Sequence, residues 1–260
     1  MRCKTTTLLA ILALLSVAVP SGQDHVAAQQ SPSNSVFLIW VVAQENLRYR
    51  VLRIGTGFFI SPSGLALTAA HVIYPVIEEP KKYELVAIVG RDFYGASLIC
   101  ATPLAADYLK GKARYDSDEP RRDIAEIQLK IPHLPFDRLQ YSGTPVALAH
   151  NGPLPEFLAL KLSNDIEVGD TIRILGFGHQ QNIYAPYQWS ASGTVTRLGS
   201  AQDATPLVAF TFVRSAQPGN SGSPVLNAKD QVVGMYNWAS PTRTEGTAIA
   251  SNALLNPCKV

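Results

Sequence analysis

Residues 123–131 read Asp123-Ile124-Ala125-Glu126-Ile127-Gln128-Leu129-Lys130-Ile131. From Ala125 onward, apolar residues alternate with Glu126, Gln128 and Lys130. A period of two puts the apolar set on one face of an extended chain, the pattern of a half-buried strand; a helix would need a period near 3.6. Strand-length apolar or alternating runs recur at 36–42, 83–89, 171–177, 192–198, 207–213, 224–226 and 232–238. Residues 57–60 and 65–68 flank Ser61-Pro62-Ser63-Gly64, whose Pro and Gly suit a tight hairpin turn. Helix signals are confined to a turn at Thr68-Ala69-Ala70-His71 and a short terminal helix over 248–255. Short strands separated by turn chemistry, with 18 Gly and 18 Pro, predict an all-β sandwich or barrel.

Two stretches interrupt the strands. Residues 107–122 are charged and irregular, a surface loop. Residues 132–155 carry Pro132, Pro135, Pro145, Pro153 and Pro155, and read as a linker between two strand-rich halves. The expected units are 35–145 and 146–260. Before them, Arg2 and Lys4 precede a run over 8–19 that is apolar except for Ser16. That run is shorter than the ~20 residues a membrane span needs. Val26-Ala27-Ala28 fits a small-x-small cleavage site, with Ser16-Val17-Ala18 as a second candidate. Residues 1–28 therefore read as a signal peptide, and the mature chain is expected in a periplasm or outside the cell. No later run is long enough to cross a membrane.

Composition narrows the classes further. Of the 260 residues, 16% are charged and 47% hydrophobic, which argues against a disordered chain. A formal net charge of +2 is too balanced to imply a phosphate-binding surface, so nucleic acid is not an expected partner. Cys3 leaves with the signal; Cys100 and Cys258 remain, as one disulfide or two thiols. Two cysteines are too few for a Cys-based zinc site, and the five His show no metal-ligand spacing, so no metal or cofactor is expected.

Three separated segments carry the chemistry: Leu67-Thr68-Ala69-Ala70-His71-Val72, the Asp123 stretch, and Pro218-Gly219-Asn220-Ser221-Gly222-Ser223-Pro224. A serine hydroxyl is a weak nucleophile and needs a base within reach. Imidazole suits that role, and a carboxylate on its other nitrogen fixes the tautomer. Glycine beside the serine lets backbone amides approach a developing oxyanion. An α/β-hydrolase is disfavoured, because its elbow is Gly-x-Ser-x-Gly and its partners follow the serine, whereas here position 223 is Ser and the partners precede it.

On these boxes the sequence resembles the chymotrypsin-fold serine peptidases: Thr-Ala-Ala-His at 68–71, Asp-Ile-Ala at 123–125 and Gly-Asn-Ser-Gly-Ser-Pro at 219–224. The serine box is similar to that of bacterial glutamyl endopeptidases. Thr247-Ala248-Ile249-Ala250-Ser251-Asn252 resembles the end of the high-temperature-requirement protease domain. The resemblance implies two six-stranded antiparallel β-barrels, a short C-terminal helix and an active site in the cleft between the barrels. It implies His71 as general base, Asp123 as orienting acid, Ser221 as nucleophile, and the Gly219 and Ser221 amides as oxyanion donors. The implied partner is a protein or peptide substrate.

By position relative to Ser221, the same resemblance puts Ser215 at the base of the specificity pocket. It puts Asn237 and Trp238 on the strand beside the substrate and Gly246 on the opposite wall. None is a carboxylate, so a demand for Arg or Lys lacks its charge partner. Glutamyl endopeptidases place a histidine in this strand, where Asn237 aligns here. An uncharged, small or medium apolar residue is therefore expected before the cut. Animal trypsins pair an Asp before the nucleophile with a new N-terminal amine; here that neighbour is Asn220, so activation by that salt bridge is not expected. An esterase-like hydrolase and a catalytically silent binder on the same fold are the alternatives. The sequence leaves oligomeric state open.

Overall fold

A computed structural model of the chain describes residues 31–45, 48–102, 122–134, 136–141, 144–180, 183–201, 204–214, 216–240 and 242–255. The expected signal segment, most of the charged loop, Ser215 and Cys258 lie outside these residues.

Strands β1 (Val36–Glu45), β2 (Arg48–Phe59), β3 (Leu65–Thr68), β4 (Tyr83–Val89), β5 (Asp92–Ala101) and β6 (Ala125–Lys130) run in the order β4-β1-β2-β3-β6-β5, and β4 pairs β5 to close a barrel. All six pairings are antiparallel. A hairpin of β7 (Arg138–Tyr141) and β8 (Thr144–Ala149) joins this barrel through a parallel pairing of β8 with β5. The second closed barrel runs β10-β11-β14-β13-β12-β9. Its strands are β9 (Thr171–Gln180), β10 (Ile183–Ser200), β11 (Pro206–Phe212), β12 (Pro224–Leu226), β13 (Val232–Ala239) and β14 (Glu245–Ala250). Helix α1 (Ala70–Glu78) follows β3, and α2 (Ser251–Leu254) follows β14. The expected pair of six-stranded barrels with a short C-terminal helix is what the chain forms.

The sequence patterns map directly onto burial. On β6, Ala125, Ile127 and Leu129 point into the first core while Glu126, Gln128 and Lys130 are half-buried. The strand ends at Lys130, so Ile131 is half exposed rather than part of the buried face. Strand β1 reads as continuously apolar because both of its faces are covered. Phe37, Ile39 and Val41 fill the barrel, while Leu38, Trp40 and Val42 pack outward against Leu134, Leu139 and Ala147.

The structure corrects two expectations here. The stretch read as a linker contains the β7–β8 hairpin, and the boundary drawn at 145/146 falls inside β8. Beyond the hairpin, the Phe157 amide donates to the Pro62 carbonyl (3.0 Å) and the Leu160 amide to the Phe59 carbonyl (2.8 Å). The Val232 amide donates to the Lys161 carbonyl (2.8 Å), so the connection is pinned to both barrels. Secondly, Ala248, Ile249 and Ala250 belong to β14, and only Ser251–Leu254 is helical. Pairing with both β11 and β13 outweighs the helix preference of alanine there.

The two barrels share an apolar seam. Phe58, Leu67 and Ile124 of the first pack with Leu175, Leu226, Val232, Met235 and Ile249 of the second. Within the first core, the Phe59 ring lies 4.6 Å from Phe37 and 4.3 Å from Phe157. Phe59→Ala is expected to cost about 3–5 kcal/mol, read as a lower denaturation midpoint with an unchanged slope. A cost below about 1 kcal/mol would contradict this packing.

Candidate active site

Strand β3 ends at Thr68, and His71 is the second residue of α1. The N-cap, Ala69, has no side chain able to cap the helix. Asp123 supplies the missing acceptor from across the fold: the His71 amide donates to Asp123 Oδ1 (2.8 Å). Its second oxygen, Oδ2, lies 2.5 Å from His71 Nδ1. An ionised carboxylate only accepts, so Nδ1 is the donor in this contact. A negative charge at a helix N-terminus is also favoured by the aligned peptide dipoles.

Asp123 is buried, at 1% exposure, and is held from both sides. Buried Thr102 donates through its hydroxyl to the Arg122 carbonyl (2.8 Å) and accepts from the Ile124 amide (2.9 Å). His71 keeps 14% of its side chain exposed, so part of the ring reaches solvent. Three residues beyond Asp123, burial pushes the Glu126 carboxyl above the usual carboxylate range.

Ser221 lies between β11 and β12, in a loop framed by Gly219 (φ +96°) and Gly222 (φ +87°). These values fall in the region that favours glycine. A Cβ on Gly222 would lie 2.1 Å from the Thr56 carbonyl, 2.7 Å from the Thr68 hydroxyl and 3.0 Å from the Ala69 amide. The serine loop therefore lies directly against the end of β3, three residues before His71. The Thr56 amide of β2 donates to the Ser221 carbonyl (2.9 Å), and the Thr68 hydroxyl donates to the Thr56 carbonyl (2.7 Å). From the second barrel, the Gly222 amide donates to the Tyr236 carbonyl and the Tyr236 amide to the Ser223 carbonyl, each at 2.8 Å. Among the described residues, the Gly219 and Ser221 amides donate to no protein acceptor.

Asn220, where trypsins carry an acid, is completely buried. Its Nδ2 donates to the Phe177 carbonyl (2.9 Å) and its Oδ1 accepts from the Gln217 amide (2.6 Å). The neutral amide thus holds the loop by its own side chain.

The remaining expected site residues are placed as follows. Asn237 is buried at a bulge of β13, and its Oδ1 has no partner among the described residues. Trp238 is half-buried and pairs in register with Thr247. A Cβ on Gly246 would lie 2.7 Å from the Phe212 ring and 3.0 Å from that of Phe210. Near Gly246 in the chain, Arg243 and Glu245, which are not among the expected site residues, are exposed. Cys100 is disulfide-bonded. Among the described residues, no group of three or more His, Cys, Asp and Glu side chains is arranged to hold a metal ion.

Sequence reasoning misses Thr56, Thr102 and Phe177, and finds Thr68 only as part of the His71 box. The one available signal is Gly55-Thr56-Gly57, since glycines inside a strand mark a close approach. A Cβ at Gly55 would lie 2.4 Å from Val72 and one at Gly57 2.6 Å from Phe37.

Residues 55–235 match the family model of the trypsin-like peptidase domain. The chain belongs to that family and is by class a serine endopeptidase, a hydrolase. The fold is similar to that of the Rv3671c protease from M. tuberculosis in its active form, with a TM-score of 0.56 and 16% identity over 97% of this chain and 92% of that one.

Gly222→Ala forces a methyl onto a backbone carbonyl at a positive φ. The expected result is a loss of at least about 2–3 kcal/mol in chemical denaturation, together with lost activity. A variant of wild-type stability would contradict the close seating of this loop.

Proposed function

We propose that Ser221, His71 and Asp123 form the catalytic triad of this peptidase, and that the amides of Gly219 and Ser221 stabilise the oxyanion. The observation that carries the reading is the two-point hold of Asp123 on His71 beside a glycine-framed serine loop. Ser221 Oγ attacks the scissile carbonyl carbon and passes its proton to His71 Nε2. Electrons of the carbonyl bond move to its oxygen, which the two amides receive. Collapse of this intermediate breaks the C–N bond. His71 returns the proton to the leaving amine, and an acyl-enzyme ester remains. Water, deprotonated by His71, then releases the acid and restores Ser221. Asp123 stays ionised throughout and stabilises the imidazolium.

For the residue before the cut, an uncharged, small or medium apolar side chain is the supported preference. A side chain added at Gly246 would meet the rings of Phe210 and Phe212 first, and Glu245 is exposed. The proposed site of action is a periplasm or the extracellular space, after removal of residues 1–28. With Cys3 gone, Cys258 is the remaining partner for Cys100, a link that a non-reducing peptide map reads directly.

The test is hydrolysis of a peptide panel that varies only the residue before the scissile bond. Ser221→Ala is expected to lower kcat by about 10⁶ and Asp123→Asn by about 10⁴. The fastest substrates are expected to carry an uncharged side chain. Hydrolysis that survives Ser221→Ala overturns the triad, and a biological activity that survives it points to binding. Fastest cleavage after Arg or Glu overturns the specificity.

A further inference from the structure

The Thr56 side chain lies in the first barrel, yet both of its hydrogen bonds cross to the second. Its hydroxyl donates to the Gly219 carbonyl (2.8 Å) and accepts from the Phe177 amide (2.9 Å). Phe177 in turn accepts from Asn220 Nδ2 through its carbonyl (2.9 Å), which closes a ring of contacts around residues 219 and 220. Thr56 is wholly buried. The space at its hydroxyl is tight, because a Cβ on Gly176 would lie 3.1 Å from Thr56 Oγ1 and 2.0 Å from Ser223 Oγ.

The main-chain amide of the same residue holds the Ser221 carbonyl (2.9 Å). Thr56 therefore fixes two carbonyls of the serine loop, Gly219 C=O through its hydroxyl and Ser221 C=O through its backbone. The amides proposed to receive the oxyanion belong to those same two residues. A hydroxyl has one hydrogen, so no other group can receive from Thr56 without releasing Gly219.

We infer that the Thr56 hydroxyl is a positioning residue for the oxyanion donors: it holds the 219–221 backbone in the orientation that turns both amides toward one point. This inference rests on the catalytic reading above. Thr56 touches no reacting atom and acts through Gly219. Its contribution falls on the transition state, where negative charge develops, and not on substrate binding. Valine is the informative replacement, since it keeps the shape and removes the hydroxyl, leaving the Gly219 carbonyl and the Phe177 amide without this partner.

The test compares Thr56→Val and Thr56→Ser with wild type on the best peptide amide substrate, alongside affinity for a peptide boronate that forms a tetrahedral adduct. Thr56→Val is expected to lower kcat about 10- to 100-fold with KM changed less than about threefold, and to weaken the boronate by a similar factor. Thr56→Ser, which restores the hydroxyl, is expected to recover kcat to within about threefold of wild type. If Thr56→Val does not fold, Thr56→Ala takes its place with the same expected split. Wild-type kcat in the hydroxyl-free variant overturns the inference. Equal damage from Val and Ser, or a loss confined to KM, also overturns it, because each marks a packing or binding role. These outcomes leave the triad standing. A wild-type chain that neither hydrolyses peptides nor binds the boronate overturns the triad, and this inference with it.

Discussion

A buried carboxylate that grips one histidine at two atoms sets the terms for the rest of the site. Removing a carboxylate from water costs several kcal/mol unless hydrogen bonds replace the lost hydration. Asp123 recovers this through the amide and the ring of His71, at a helix N-terminus that has no cap of its own. The two needs are complementary: the helix lacks an acceptor and the carboxylate lacks donors. That reciprocity fixes where α1 starts, which way the imidazole faces and which of its nitrogens meets the carboxylate. Thr102 then fixes the backbone on either side of Asp123, so the carboxylate cannot drift from the histidine it orients.

Histidine and aspartate both belong to the first barrel, whereas Ser221 belongs to the second. The proposed triad therefore depends on how closely the seam between the barrels is fixed. Much of that seam is apolar, around Phe58, Leu67, Leu226 and Ile249, and apolar contact is strong but poor at fixing orientation. Direction comes from polar contacts laid across it. The Thr56 amide reaches the Ser221 carbonyl, and Gly222 lies flush against Thr56, Thr68 and Ala69. Because glycine alone fits there, the approach of the two barrels is limited by backbone, which is stiffer than any side chain.

The parts of this structure most legible in the sequence are those governed by local chemistry. Period-two alternation marks β6, the turn Ser61–Gly64 marks the β2–β3 hairpin, and residues 224–226 match β12 as read. The three boxes carrying His71, Asp123 and Ser221 stand out in the sequence because each residue type has a distinct role in the proposed chemistry. Other elements are hidden by signals that point elsewhere. Pro75 and the β-branched Val72, Ile73 and Val76 disguise a nine-residue helix, which forms because Ala70, Val72, Ile73 and Val76 are buried in the first core. Pro145 disguises β8, where it sits opposite Gln140 at a register shift. Thr56 is hidden for a different reason: a threonine in a strand looks ordinary until the other barrel's carbonyl arrives at its hydroxyl. Long-range polar contacts of this kind leave almost no mark on local sequence.

The most direct test of the central claim is chemical. The purified chain, with residues 1–28 removed, is treated with a serine-directed phosphonylating reagent and the adduct is located by mass mapping. The account predicts a single adduct on Ser221 that disappears in His71→Ala. Well-folded protein that takes no label, or that is labelled at another residue, would contradict it.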